Sequence, residues 1–187
     1  MALGWFNKKE GTASPSSKKA KAMAGTVPGS SKNATLGNLL AEDLILTAPN
    51  GFGKDKLIEY LVVEICARRG LGDPKPFLAK VLEREKGIST TLDTGLAVPH
   101  ARMDGLERIT GILVLIPNGM SDPKQPDLTI RVMFLFFSPN RQEAFTQHLH
   151  LLREVSALFQ PTFIDKLLKS SAPSDILNLI ALKESGD

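Results

Sequence analysis

Two stretches limit what this chain can fold into more than anything else in it. "ITGILVLIP", residues 109–117, and "LTIRVMFLFF", residues 128–137, are β-branched and almost continuously apolar. Successive residues of a strand point to opposite faces, so a strand with one wet side alternates apolar and polar residues. Unbroken apolar runs instead predict strands covered on both faces, with helices packed against a sheet. No apolar run in the chain approaches the length that spans a bilayer.

The flanking segments supply the helices. "LGNLLAEDLILTA" predicts one helical turn and then a short strand near Leu44 to Leu46. "GKDKLIEYLVVEICARRG" reads as an amphipathic helix closed by Gly70, where a left-handed cap is wanted. "FLAKVLEREKG" has apolar residues at 77, 78, 81 and 82 and predicts a second helix ending at Gly87. "GLAVPH" is a short strand-like run before a proline. "NRQEAFTQHLHLLREVSALF" is a long helix, followed by "PTFIDKLLKS" and "PSDILNLIALK", each opened by proline and a capping-type residue. With no internal repeat, this order predicts one α/β domain over residues 36–187, a mixed β-sheet flanked by helices.

Residues 1–35 differ in kind. They are rich in Ser, Gly, Ala, Lys and Pro, with six lysines against the single acid Glu10. That composition predicts a disordered extension, a solvated tail by default and a docking arm for an anionic partner as the sharper reading. The formal charge of +3 belongs to this tail, because residues 36–187 carry 17 basic and 19 acidic side chains. A nucleic-acid reading of the domain loses its electrostatic basis. "MALGWFNKKE" has no secretory cleavage pattern. The single cysteine, Cys66, excludes an internal disulfide framework and a cysteine-based zinc site. Helical spacing puts it among Leu61, Val62 and Ile65 as a buried thiol, in keeping with a reducing, cytoplasmic setting.

The three histidines carry what chemistry the chain has. His148 and His150 form a His-x-His pair, but on a helix residues two apart point about 200° from each other and cannot chelate one ion. A helical wheel draws the apolar stripe through Phe145, Leu149, Leu152, Ser156 and Phe159. His148 lies beside it, facing the body of the protein, and His150 falls among Glu143, Arg153 and Glu154 on the solvent face. Taken alone, His148 reads as a satisfied half-buried histidine. His100 ends the run "GLAVPH", presented rigidly by Pro99 at a strand end, where sites in sheet proteins tend to lie. There is no Gly-x-Ser-x-Gly elbow, no phosphate-cradling Gly-x-x-x-x-Gly-Lys and no His-Glu-x-x-His. What remains is a histidine that could itself be the reactive group.

"STTLDTGLAVPHARMDGLERITGILVLIP" followed by "VMFLFFSPNRQEAFTQHLHLLREVSALF" resembles the enzyme IIA domains of mannitol/fructose type in the bacterial phosphoenolpyruvate-dependent sugar phosphotransferase system. The nitrogen-regulatory members, whose helix often carries His-Leu-His, look most similar. The resemblance runs from about Leu36 to Lys183, and its best motif, Gly-[Ile/Leu/Val]-Ala-[Ile/Val]-Pro-His, is Gly95 to His100. It implies that His100 accepts a phosphoryl group on a ring nitrogen and that His148 contacts that group. It also implies that Arg84 pairs with the phosphoryl oxygens through its planar fork. On local sequence alone Arg84 is a solvated helix residue among Glu83, Glu85 and Lys86. Ser89 and Thr90 match loop residues whose hydroxyl and amide groups would complete the cradle.

The same resemblance implies a phosphotransferase without metal or nucleotide cofactor. The donor would be the carrier protein HPr or a nitrogen-branch homologue, and the acceptor a IIB component or a regulatory target. One departure stands out. The family's loop reads Ser-Thr-Gly-Ile-Gly-x-Gly, whereas this chain has "STTLDTG", with Thr91 and Asp93 where glycines are expected. Asp93 either brings negative charge near an incoming phosphoryl group or turns outward. A non-catalytic binding module that keeps the fold and has lost transfer is the alternative this departure motivates.

Overall fold

A computed structural model of the protein describes residues 35–186, so the predicted extension lies outside the described residues but for its last position. The elements run α1 (Leu36–Leu39), a 3₁₀ turn (Glu42–Leu44), β1 (Ile45–Thr47), α2 (Lys54–Arg69), α3 (Pro74–Lys86), β2 (Leu96–Ala97) and β3 (His100–Met103). Then come β4 (Thr110–Asp122), β5 (Gln125–Pro139), α4 (Gln142–Leu158), α5 (Pro161–Leu168) and α6 (Pro173–Ser185).

The sheet is built around the two apolar runs. β4 and β5 form an antiparallel hairpin, with Leu113 opposite Phe134 and Val114 opposite Met133. β1 adds in parallel to β4, and β2 and β3 add one after the other, both parallel, to the far edge of β5. The sheet is therefore mixed. Residues 111–116 and 132–139 are buried without a break, which needs cover on both faces. Phe134, Phe136, Phe137, Leu57, Ile58, Leu61 and Ile65 are among the fully buried side chains joining sheet and helices. Each such residue contributes about 1.5–3 kcal/mol relative to exposure.

The helix ends follow the expected chemistry. α2 stops at Gly70, left-handed at φ 63°, and α3 starts on Pro74 with the Asp73 carboxylate accepting from the Lys75 amide at 3.0 Å. Pro76 is tolerated in that first turn, so the helix begins earlier than its first apolar residue suggests. Cys66 is buried on α2, and burial first, then Asp73, pushes its thiol up to about 11. That thiol stays protonated and inert.

Three expectations are corrected. Both long strands continue beyond their apolar cores, to Asp122 and from Gln125, as a largely polar ribbon with a register shift between Leu115 and Met120. "GLAVPH" is two strands, because the sheet pairing lapses at Val98–Pro99 and Pro99 has no N–H to give. The buried face of α4 is Ala144, His148, Leu151, Val155 and Leu158, one residue round from the stripe drawn on the wheel. A wheel follows the largest apolar side chains, yet Phe145 and Leu149 stay 40% and 49% exposed. His148 thus sits in the middle of the packed face, not at its margin.

Candidate active site

β3 brings His100 to the sheet opposite Phe136 of β5. The two rings stack at 5.3 Å between centroids, 14° apart in plane. α4 crosses beside them and delivers His148, whose ring centroid is 5.2 Å from that of His100. The two histidines share an open cleft of about 400 Å³ with Lys80, Glu83, Arg84, Ala101 and Arg102. His150 is not part of it and points to Glu154, 3.9 Å away.

Hydrogen bonding bears on which ring nitrogens carry hydrogen. His100 Nδ1 lies 2.8 Å from the Val98 carbonyl. A carbonyl only accepts, so Nδ1 carries the hydrogen and Nε2 keeps its lone pair. His148 Nδ1 is 2.7 Å from the Ser138 hydroxyl, deep in the sheet. Burial pushes the His100 imidazole below its ordinary value of 6.5, with the Val98 hydrogen bond opposing and the Arg84 guanidinium adding to the fall. His148 is lowered to about 4, by burial first and then by His100 and Arg102. At neutral pH both rings are uncharged.

The cleft is rich in positive charge. Arg84, on the last turn of α3, donates to the Ile88 carbonyl at 3.0 Å and is otherwise exposed. Arg102 lies on the same strand as His100, two residues on, and so on the same face. Its guanidinium packs 5.1 Å over the Phe145 ring and donates to the Arg141 carbonyl, while its Nε is buried without a partner among the described residues. Arg102 was missed by the sequence reading, although alternation from His100 along a strand would have found it. A cleft with neutral imidazoles, a free Nε2 lone pair and two guanidinium groups suits a small tetrahedral anion.

Ser89 and Thr90 do not line the cleft. Their hydroxyls turn inward to a buried ionic cluster that holds the loop from behind. Lys54 Nζ, at the start of α2, is 2.8 Å from Glu85 and 2.9 Å from Asp122, with all three side chains at most 7% exposed. Ser89 donates to Asp122 at 2.6 Å, and Thr90 donates to Glu85 at 2.5 Å. Thr91 donates to Asp122 as well and receives a bond from Lys54 at 3.2 Å. The Lys124 amide completes the set around Asp122 at 2.8 Å. Burial works against ionising Asp122, but the bonds from Ser89, Thr91, Lys54 and Lys124 outweigh it and hold the carboxyl well below its usual range. Lys54 could have been suspected, since it precedes Leu57, Ile58 and Leu61 on the buried face of α2. Nothing local marks Asp122.

The two loop departures are now placed. Thr91 makes an antiparallel bridge to Ala97 and ties the loop to the cluster, and Asp93 is exposed, outside the cleft lining. Gly95 is the loop glycine whose conformation demands glycine. Its φ is +89°, and a Cβ there would sit 3.2 Å from the Thr129 carbonyl oxygen.

Comparisons with known proteins bear on the family and the fold. Residues 38–183 match the family model of the phosphoenolpyruvate-dependent sugar phosphotransferase system, EIIA 2. A nitrogen regulatory protein of Bradyrhizobium diazoefficiens is 25% identical over 146 residues, 78% of this chain and 94% of the relative. The crystal structure of the nitrogen regulatory protein IIA-Ntr from Neisseria meningitidis superposes with a TM-score of 0.68 at 21% identity, covering 77% of this chain and 97% of that one. Enzyme IIAMTL in its complex with phosphorylated enzyme IIBMTL from Escherichia coli gives 0.61 at 19% identity, over 76% of this chain and 96% of that one. Among the described residues no helix is long and apolar enough to cross a membrane. The match over most of the chain, on a mixed five-stranded sheet flanked by helices, makes this protein a member of the EIIA 2 family of the sugar phosphotransferase system.

Proposed function

We propose that this protein carries a phosphoryl group on Nε2 of His100. The observation that carries the reading is the 2.8 Å bond from His100 Nδ1 to the Val98 carbonyl, which leaves Nε2 as the lone pair available to attack phosphorus. The donor is a phosphohistidine of HPr or a nitrogen-branch homologue. Its P–N bond breaks as the bond from phosphorus to His100 Nε2 forms, and the electron pair returns to the donor's ring. No metal or nucleotide takes part, because both ends of the transfer are imidazoles and positioning with charge stabilisation suffices. Arg84 pairs with the phosphoryl oxygens from α3, Arg102 from β3, and His148 donates a hydrogen bond from α4. Ser89 and Thr90 act at one remove, through the buried cluster that holds their loop.

The onward step goes to a IIB component, or the phosphorylated and free forms are read by a regulatory target in the cytoplasm. The second version is supported by the likeness to nitrogen regulatory proteins over nearly their whole length. The rival reading, a binding module without transfer, drew on Thr91 and Asp93. It loses force because Asp93 stands outside the cleft and Thr91 is engaged behind it. ³¹P NMR of the chain after incubation with phosphoenolpyruvate, enzyme I and HPr tests the assignment. A phosphohistidine resonance of the Nε2-linked isomer is expected, and an Nδ1-linked isomer would overturn it.

A further inference from the structure

Ser138 is the last serine of β5 before the chain turns into α4, in a position fully buried from solvent. Among the described residues its hydroxyl has one partner, His148 Nδ1 at 2.7 Å. Two arrangements of hydrogens are compatible with that distance. If Nδ1–H donates to the hydroxyl oxygen, the hydroxyl hydrogen is left buried with nothing to accept it. If the hydroxyl donates to a bare Nδ1, no hydrogen is stranded, and the ring's own hydrogen sits on Nε2. An unsatisfied buried donor costs about 1–3 kcal/mol, enough to decide between tautomers that are otherwise close in energy.

We propose that Ser138 is a positioning residue for phosphoryl transfer: by donating its hydroxyl hydrogen to His148 Nδ1, it fixes His148 as the tautomer that presents Nε2–H to the cleft. The two histidines are then complementary. His100 is held by a carbonyl as Nδ1–H with a lone pair on Nε2, and His148 is held by a hydroxyl as Nε2–H with a lone pair on Nδ1. One offers the acceptor for phosphorus, the other a donor for the oxygens that arrive with it. The donor needs no ionisation, which fits a ring buried at 5% exposure between His100, Phe136 and Phe145. Lys80, Arg84 and Arg102 already line the cleft, so a neutral donor adds a hydrogen bond without a further buried charge to desolvate.

The transfer consequence rests on the proposed phosphorylation of His100, whereas the tautomer assignment does not, and the experiment separates them. Long-range ¹H–¹⁵N correlation spectra of the ¹⁵N-labelled full chain, recorded above pH 6.5, report the ring nitrogens of His148 directly. The wild type is expected to show a pyridine-like Nδ1 and a pyrrole-like Nε2, as is S138T, which keeps the hydroxyl. S138A is expected to lose that preference and to gain phosphate from phospho-HPr about tenfold more slowly, the effect of one hydrogen bond in the transition state. In an H148A background, S138A should cause no further slowing. A wild-type His148 protonated on Nδ1 overturns the proposal. So does an S138A protein with unchanged tautomer and rate, or one that slows equally when His148 is absent. If the wild type takes up no phosphate at all, the carrier reading fails while the spectra still decide the role of Ser138.

Discussion

Two polar clusters of this protein are built on opposite plans, one bonded to the loop 87–95 and one gathered around the paired histidines. In the first, Lys54, Glu85 and Asp122 are buried and bonded to one another and to three loop hydroxyls. In the second, His100, His148, Arg84 and Arg102 surround an open cleft, with a buried guanidinium Nε that has no partner among the described residues. The first cluster is complete as it stands. The second gathers positive charge and donors with no anion among them except Glu83 at the rim. A satisfied cluster holds shape and an unsatisfied one suits a ligand, and here the first anchors the loop through its three hydroxyls. The difference also shows what Thr91 does in the loop. Thr91 spends its hydroxyl on the rear cluster, so the loop is anchored by a side chain instead of being shaped by a glycine.

The contrast can be broken from either side. Lys54→Met removes the cation between two buried carboxylates and should cost about 3–5 kcal/mol in urea unfolding, the usual penalty for stranding buried charge. Arg84→Ala is the converse. An exposed side chain with one carbonyl bond should change stability by no more than about 0.5 kcal/mol, yet slow phosphoryl uptake roughly a hundredfold, near 2.7 kcal/mol in the barrier. A large loss of stability in Arg84→Ala, or none in Lys54→Met, would erase the distinction. Thr91→Gly should destabilise by about 1–3 kcal/mol, since Asp122 loses a buried donor and the loop gains unfolded-state freedom. Its uptake rate should fall by less than that of Arg84→Ala.

The smallest effect is in pH. The native His148 titrates near 4 and the unfolded one near 6.5, so between those values the unfolded chain binds a proton that the folded chain refuses. Stability therefore falls as pH drops from about 6.5 toward 4, and His148→Gln should reduce that slope, leaving the part due to His100, whose imidazole burial also lowers. Asp122 acts lower. Its depressed carboxyl stabilises the fold above its ordinary 3.8, and that contribution is lost as pH falls further. Urea midpoints measured across pH 3–8 for wild type and His148→Gln separate the two windows.

Much of this was legible from local pattern. The apolar runs at 109–117 and 128–137 announced a doubly covered sheet, and Gly70 announced the end of α2. His100 and His148 were found because one lies in a motif and the other at a helical position facing inward. What local pattern misses is partnership over distance. Asp122 meets Lys54 across 68 positions and Ser89 across 33, and no periodicity encodes such a meeting. The hydroxyls of Ser89 and Thr90 were expected in a phosphoryl cradle from the loop positions they match in the resembling family, whereas here they bond to buried carboxylates. The rotation of α4 has a similar origin. His148 can be central only because Ser138 satisfies its buried nitrogen, and a wheel drawn from one helix does not contain β5.

The measurement closest to the central claim is intact-mass spectrometry of the full chain after incubation with phosphoenolpyruvate, enzyme I and HPr, with His100→Ala treated alongside. The wild type should gain one acid-labile phosphoryl group and the variant none. No gain with either HPr or its nitrogen-branch homologue, or an equal gain in His100→Ala, would contradict the account.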